Sequence, residues 1–147
     1  MYMEKPCNLR FTVSSTNFAV PLGLTVIFDK SVIYTNPHVD AKIQVEHQFP
    51  DMYGEHELLF ELFGKKSEHT KIDAAGQILS DALLTCTDVE IDGVSLDPYM
   101  RSLAEYSHDY NGTQSMQSHN FSGLMGANGL VSFKFRTPVY LWELEYN

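Results

Sequence analysis

The sequence predicts an all-β fold, an antiparallel β-sandwich of jelly-roll-like type with one short helix near residues 98–104. Apolar and polar residues alternate with period two in about eight short segments, as in strands with one buried face. Turn signals separate these segments about every ten residues, which is typical of sandwiches. Nine Phe and eight Tyr against one Trp also favour pleated surfaces. No internal repeat or linker interrupts the pattern, so we expect one domain over residues 1–147.

The first half of the chain contains the clearest strand patterns. "LRFTV" (9–13) alternates and predicts a half-buried strand. "GLTVIFDKSVIYT" (23–35) predicts a hairpin that turns at Asp29-Lys30. In "AKIQVEHQF" (41–49) every second side chain, from Ala41 to Phe49, lies on one face, and the polar residues lie on the other.

The middle of the chain continues the alternation. "EHELLFELFG" (55–64) places His56, Leu58, Phe60 and Leu62 on one face. Its Glu and Leu residues also suit a helix, but we predict a strand because a strand pattern precedes it and a glycine ends it. "KIDAAGQIL" (71–79) predicts a short hairpin, with Ile72 and Ile78 on either side of a turn that ends at Gly76. "LLTCTDVEIDGVSL" (83–96) alternates through Leu83, Thr85, Thr87, Val89 and Ile91 and turns at Asp92-Gly93.

The segment "DPYMRSLAEY" (97–106) has a helical signature instead. Asp97 is a good helix cap and Pro98 suits the first helical position. Met100, Leu103 and Ala104 form a short apolar stripe. These residues predict the one short helix of the fold.

The last part of the chain returns to strands. "EYSHDYN" (105–111) alternates through Tyr106, His108 and Tyr110, and "LVSFKFRT" (130–137) directs Val131, Phe133 and Phe135 inward. The tail "TPVYLWELEYN" (137–147) has Thr-Pro at a position that suits a helix start. We expect a helical or irregular cap; the alternative is a final strand with Tyr140, Trp142 and Leu144 inward.

Composition excludes several partners. Ten basic and nineteen acidic residues give a net charge of −9, which argues against nucleic acid and anionic membranes because phosphates require a basic face. The N-terminus lacks the apolar core of a signal peptide, and no apolar run is long enough to span a bilayer. We therefore expect synthesis in the cytoplasm, with Cys7 and Cys86 as thiols.

No catalytic or metal motif is present in the sequence. The six histidines lack the HExxH spacing. His47 and His56 lie on apolar strand faces and could face each other, but such residues are more often structural. An acidic interval could supply calcium ligands, although it lacks the EF-hand pattern and also suits a solvated edge; its members are Asp73, Asp81, Asp88, Glu90, Asp92 and Asp97. We assign no catalytic residue, no metal ligand and no cofactor, and leave calcium open.

Residues 108–131 form the least regular stretch. Gly112, Gly123, Gly126 and Gly129 suggest unusual backbone angles, and Phe121 and Leu124 are the expected anchors. The stretch is either a long ordered connection or a ligand-binding loop. For a sugar ligand, the predicted contacts are Tyr106, His108, Tyr110, Asn111 and Asn128, with a tyrosine as the stacking surface and amides as hydrogen-bonding groups.

Parts of the chain resemble a known family. The most specific pieces are "GKKSEHTKIDAAGQILSD" (64–81), "MGANG" (125–129) and "TPVYLWELE" (137–145). They resemble a family of small proteins encoded by marine tailed phages, notably those of cyanobacteria, over roughly residues 41–145. Members of that family are similar to calcium-dependent xylan-binding carbohydrate modules, which are jelly-roll sandwiches.

The resemblance implies a function. It implies a non-enzymatic structural or accessory protein of a tailed phage virion, a decoration, neck or tail component with other virion proteins or further copies of itself as partners. It also implies a location in the virion. The alternative is a carbohydrate-binding module that recognises host-surface glycan, with or without calcium.

Overall fold

The computed structural model describes residues 6–50 and 54–146. Its strands are β1 (Cys7–Ser15), β2 (Gly23–Phe28), β3 (Ser31–Asn36), β4 (Ile43–Phe49), β5 (Gly54–Phe63), β6 (Lys71–Ile72), β7 (Ile78–Ser80), β8 (Leu84–Ile91), β9 (Val94–Ser95), β10 (Glu105–His108), β11 (Gln117–Asn120), β12 (Leu124–Met125) and β13 (Gly129–Thr137). The α-helices are α1 (Asp97–Leu103) and α2 (Val139–Glu143), and short 3-10 turns cover Ser67–His69 and Leu144–Tyr146.

Two antiparallel sheets pack face to face around the core. One sheet has the order β12-β8-β1-β4, with β9 paired to β8, and the other has the order β11-β10-β13-β5-β2-β3. The ring of Phe11 in the first sheet meets the edge of Phe60 in the second at a centroid distance of 5.3 Å. Phe28 and Phe49 meet across the same interface at 4.7 Å. The predicted all-β sandwich is confirmed.

Most predicted strands are confirmed with their buried faces. The hairpin β2–β3 turns at Asp29 and Lys30, which have φ values of 49° and 71°, the left-handed pair that a tight hairpin requires. β5 is a strand that buries Leu58, Phe60 and Leu62, so the helical alternative is wrong. The predicted hairpin of residues 71–79 is β6–β7, with Ile72 opposite Ile78. Residues 51–53, which precede β5, lie outside the described residues.

The predicted face of β8 is wrong in its first half. Leu84 and Cys86 are buried there, whereas Thr85 and Thr87 are only half-buried. The cause is a β-bulge, because the register against β1 shifts between Arg10 and Thr12 and Asp88 has a φ of 54°. An extra residue reverses the side-chain alternation, so Val89 and Ile91 return to the core as predicted.

Asp97 stabilises this bulge rather than capping the helix. The N-cap of α1 is Leu96, and no side chain caps it. The Asp97 carboxylate accepts hydrogen bonds from the backbone N–H of Asp88 at 3.0 Å and of Val89 at 2.9 Å. The predicted short helix is confirmed, although its apolar stripe is narrower than expected: Met100 and Ala104 are buried and Leu103 is exposed.

The tail is helical, as expected. In α2, Trp142 is buried against Phe133 and Phe135, whereas Tyr140 and Leu144 are exposed. The alternative of a final strand with all three side chains inward is therefore wrong. Across the described residues, neither α-helix is long and apolar enough to cross a bilayer.

The irregular stretch contains two strands that the sequence pattern missed. β11 pairs with β10, and β12 pairs with β8. Phe121 is a buried anchor as predicted, but Leu124 is exposed and Met125 is buried in its place. Gly112 and Gly123 have positive φ, whereas Gly126 and Gly129 do not. Gly129 is required for a different reason, because a Cβ there would lie 2.3 Å from the Ser107 carbonyl oxygen.

We expect Asp97→Asn to lower the free energy of unfolding by about 1.5 kcal/mol, since an amide cannot accept both bulge N–H groups. Asp88→Asn is the matched control. This variant also removes one negative charge, but from the bulge residue itself. Asn tolerates the positive φ of that position, so the free energy of unfolding should change by less than ~0.5 kcal/mol. Urea denaturation measures both. Equal losses in the two variants would contradict the role of Asp97.

Candidate functional site

Four of the five predicted contact residues line one groove of about 450 Å³. We call it the β10 groove. Its lining combines the end of β10, the turn that follows, the edge strand β11 and the segment that leads into β8; the residues are Ser67, Thr70, Ile78, Asp81, Tyr106, His108, Tyr110, Asn111, Thr113, His119, Leu124, Gly126 and Ala127. Asn128 is the predicted residue outside the lining.

Tyr110 is the exposed tyrosine of the groove, at 43% exposure. It and Asn111 both adopt left-handed backbone angles, with φ values of 52° and 60°. Asp109 holds this turn by accepting a hydrogen bond from the Gly112 N–H at 2.8 Å. The ring of Tyr110 stands at 90° to that of His108, 4.4 Å between centroids. The turn therefore presents Tyr110 to solvent on a fixed support.

Tyr106 has a structural position. It is buried, its hydroxyl donates to the Ala127 carbonyl, and the Ala127 N–H donates back to the hydroxyl oxygen at 3.0 Å. Burial raises the pKa of Tyr106. Tyr106 therefore fixes the wall of the groove and offers no free face for stacking.

His108 and His119 form a hydrogen-bonded pair. Their Nε2 atoms are 2.9 Å apart. The Nδ1 atom of His108 faces the Tyr110 N–H at 3.3 Å, and the Nδ1 atom of His119 faces the Asn120 carbonyl at 3.2 Å. His108 is buried and His119 is exposed. Burial, followed by the neighbouring His119, lowers the pKa of His108, and Asp109 opposes the shift.

A buried lysine lies beneath the groove. The side chain of Lys65 is fully buried, and its ammonium group donates to the Asp81 carboxylate, to the Ala82 carbonyl at 2.8 Å and to the Gly126 carbonyl at 2.6 Å. These are all the bonds that an ammonium can donate. The charge is tolerated because every donor is matched and one acceptor is ionised.

The Asp81 carboxylate connects this lysine to the groove. Its Oδ1 atom accepts from Lys65, from the Thr70 hydroxyl at 2.7 Å and from the Ala82 N–H at 2.9 Å. Among the described residues, no donor occupies Oδ2. Asp81 lines the groove and its side chain is 21% exposed, so the second oxygen remains an acceptor for a ligand.

Asn128 holds Lys65 from the other side. Its amide accepts from the Lys65 N–H at 2.9 Å and donates to the Lys65 carbonyl at 2.8 Å, as a neighbouring strand would. Its own N–H donates to Asn111 Oδ1 at 2.8 Å. The Asn128 side chain is thus occupied by the protein, and Asn111 keeps its Nδ2 group for a ligand.

Lys65, Thr70 and Asp81 belong to no catalytic or metal motif, so motif patterns did not predict them as parts of a site. The signal was nevertheless present in the resemblance, since all three belong to its most specific run, "GKKSEHTKIDAAGQILSD". A second specific piece, "MGANG", supplies the Gly126 carbonyl and Asn128. The third piece, "TPVYLWELE", lies outside the groove, so the resemblance coincides with the groove only in its first two pieces.

The acidic interval does not form a cluster. Asp97 is engaged by the bulge, and Asp92 Oδ1 accepts from the Asn8 N–H at 2.9 Å. In residues 6–50 and 54–146 no three His, Cys, Asp or Glu side chains are grouped so that they could hold a metal ion. Calcium binding stays a prediction from the resemblance.

His47 and His56, the two histidines on apolar strand faces, lie against Phe28. His47 and His56 have ring centroids 5.5 and 5.4 Å from it. His56 Nδ1 is 2.6 Å from Asp29 and its Nε2 is 3.0 Å from the Thr137 hydroxyl, the order of contacts in a hydrolase triad. Thr137 is only 3% exposed, however, so this arrangement orients His56 rather than presenting a nucleophile.

Comparisons with known proteins give one structural neighbour. No protein-family model matches the sequence, and no curated protein matches it. The solved structure of vCBM60 in complex with galactobiose is similar with a TM-score of 0.49 and 15% identity, over 86% of this chain and 96% of that chain. That protein is a carbohydrate-binding module. The likeness assigns neither a ligand nor a binding residue to this chain, and the phage relationship stays a prediction.

We expect Lys65→Met to lower the free energy of unfolding by about 3 kcal/mol, because it leaves Asp81 and two carbonyls without their donor. Lys66→Met is the matched control. Lys66 is exposed next to Lys65, so its loss should change stability by less than ~0.5 kcal/mol. Thermal and urea denaturation measure both. Similar stabilities of the two variants would show that the buried network contributes little.

His108 should make stability depend on pH. The unfolded chain takes up a proton on His108 near its ordinary pKa of 6.5, whereas the folded chain, with a lowered pKa, does not. Stability from the neutral ring is therefore present above pH 6.5 and is lost as pH falls toward the folded pKa. His108→Asn keeps an acceptor for the Tyr110 N–H but cannot titrate. The stability advantage of the wild type over this variant should shrink between about pH 7.5 and about pH 5; a constant difference in urea denaturation would contradict the assignment.

Proposed function

We propose that the protein is a carbohydrate-binding domain and that the β10 groove binds a neutral glycan. The observation that carries the proposal is the exposed Tyr110 ring beside the free hydrogen-bonding groups of Asn111 and Asp81. The volume of about 450 Å³ is within the usual range for small-ligand sites. No residue is assigned a catalytic role.

The groove offers both kinds of contact that a sugar requires. A pyranose has an apolar C–H face, for which Tyr110 and the exposed side chains of Ile78 and Leu124 provide apolar surface. Its hydroxyl groups require donors and acceptors. Asn111 Nδ2 is a donor and Asp81 Oδ2 is an acceptor, and a ligand that satisfies both is held in one orientation.

Charge favours neutral over anionic sugars. Among the described residues no Lys or Arg lines the groove. Lys65, beneath it, contributes no free charge because Asp81 and two carbonyls surround its ammonium group. The chain as a whole carries −9. A uronate would find no unpaired cation in the groove to compensate for the water it loses on binding, which costs binding energy.

The virion role remains a second proposal, compatible with the first. It requires an apolar surface that another chain covers. The hairpin β6–β7 exposes Ile72 and Leu79 outside the groove, and exposed apolar side chains of this kind are used in assembly contacts. Purification as a monomer that does not associate with particles would count against this role.

The first experiment is a glycan array with neutral and uronic-acid oligosaccharides, including xylan fragments and galactobiose, read once with calcium and once with EDTA. We expect binding to neutral members. Signal that disappears in EDTA would add calcium to the site. Absence of binding in both conditions would overturn the proposed function.

Substitution then tests the location of the site. Tyr110→Ala should lower the affinity for the best neutral ligand about tenfold, the equivalent of one good aromatic contact. Tyr140→Ala is the matched control, since Tyr140 is exposed on α2 and does not line the groove. Isothermal titration calorimetry measures both. Unchanged affinity in Tyr110→Ala would place the binding site elsewhere.

A further inference from the structure

We propose that the His108–His119 pair makes glycan binding in the β10 groove sensitive to pH, with binding at neutral pH and release in mild acid. This inference rests on the proposed function, because it concerns the regulation of the same groove. Both histidines line the groove. His108 also supports Tyr110, the side chain to which stacking is assigned, through the backbone N–H of Tyr110.

The hydrogen bonds define one protonation state of the pair. The Tyr110 N–H can only donate, so Nδ1 of His108 accepts and carries no proton. Nε2 of His108 therefore carries the proton and donates to Nε2 of His119. Nδ1 of His119 then carries the proton and donates to the Asn120 carbonyl. All four ring nitrogens are satisfied, and the pair is neutral.

An added proton breaks one of these bonds wherever it binds. On His108 it occupies Nδ1, so two N–H groups face each other and the Tyr110 backbone loses its acceptor. On His119 it occupies Nε2, so the two rings oppose each other with a donor on each side. In both cases a polar group loses its partner, which disfavours the protonated pair.

Several neighbours act on the charge of the pair. Asp109, in the turn after β10, favours the protonated form. The rings of Tyr106 and Tyr110 also pack against the His108 ring, at centroid distances of 4.7 and 4.4 Å. Asp81, from the segment before β8, is largely neutralised by Lys65. Burial of His108 and the proximity of His119 favour the neutral form and outweigh the effect of Asp109.

The consequence for binding follows from the position of Tyr110. Protonation of His108 displaces the Tyr110 backbone from its acceptor, and Tyr110 is already held in a left-handed conformation that a non-glycine residue disfavours. The turn then loses a contact that fixes its exposed ring. The ligand should bind less tightly to the protonated protein, and bound ligand should in turn hold the pair neutral.

The test is the affinity for the most tightly bound oligosaccharide of the neutral panel, measured by calorimetry at about pH 7.5 and about pH 5. For the wild type we expect a loss of about tenfold, which corresponds to one hydrogen bond. His108→Asn retains an acceptor for the Tyr110 N–H and cannot titrate, so it should bind at both pH values with similar affinity. His38→Gln is the control, because His38 bonds to the Phe18 carbonyl outside the groove, and it should keep the wild-type pH dependence.

A ligand-free measurement separates this inference from the proposed function. Ring ¹⁵N NMR shifts of the wild type should show an unprotonated Nδ1 on His108 and a protonated Nδ1 on His119 at about pH 7.5. Equal wild-type affinity at the two pH values, a His108→Asn variant that retains the pH dependence, or the opposite tautomers would each overturn the inference and leave the proposed function intact. If no panel member binds at either pH, both proposals are overturned.

Discussion

The two sheets can remain face to face only if each strand keeps its apolar side chains on the inner face along its whole length. β1 and β5 meet this condition with a simple alternation and bring Phe11 and Phe60 into contact at the centre. β8 does not, because its apolar residues change face at Asp88. The bulge restores the match by adding one residue, which exposes two N–H groups that require an acceptor. Asp97 supplies it from the first turn of α1, so the packing of the core also determines where the helix lies.

The candidate site depends on a second constraint of the same kind, the burial of the Lys65 ammonium. A buried charge is tolerated only where all its donors are matched, and the three acceptors come from two segments that are far apart in sequence. Asp81 and Ala82 precede β8, and Gly126 follows β12. Their distances from Lys65 therefore cannot change independently. This network holds the segments beneath the β10 groove in place. The turn that carries Tyr110 can therefore consist of polar residues and glycine.

The sequence predicts the elements whose cause is local. The hairpin at Asp29-Lys30 and the strand β5 follow from period-two alternation and from turn residues within a few positions. The bulge in β8 could not be predicted from local sequence. Asp97, which accepts the hydrogen bonds of the bulge, lies nine residues away from Asp88, and the register shift that defines the bulge involves the partner strand β1. β11 was missed for a different reason. Its residues, Gln117–Asn120, are all polar, since this edge strand buries no face, and alternation cannot reveal a strand without an apolar side.

In the candidate site, too, some residues could be predicted from local sequence and others could not. Aromatic alternation in residues 105–111 drew attention to Tyr106, His108 and Tyr110, but it could not distinguish the exposed ring of Tyr110 from two buried neighbours. That difference arises where the strand ends and the left-handed turn begins. A lysine and an aspartate sixteen positions apart are ordinarily read as solvated surface, so Lys65 and Asp81 emerged as a pair only in three dimensions.

The histidine pair differs from His56 in what a proton would do to it. His56 contacts the Asp29 carboxylate, which accepts from Nδ1, and the Thr137 hydroxyl, whose oxygen can accept from Nε2. Both nitrogens of His56 can therefore carry protons without losing a partner. In the pair, by contrast, the Tyr110 N–H is a fixed donor and the two rings share one proton between them. A histidine becomes a switch when only one of its protonation states satisfies its neighbours, and within the β10 groove that condition coincides with the support of the exposed tyrosine.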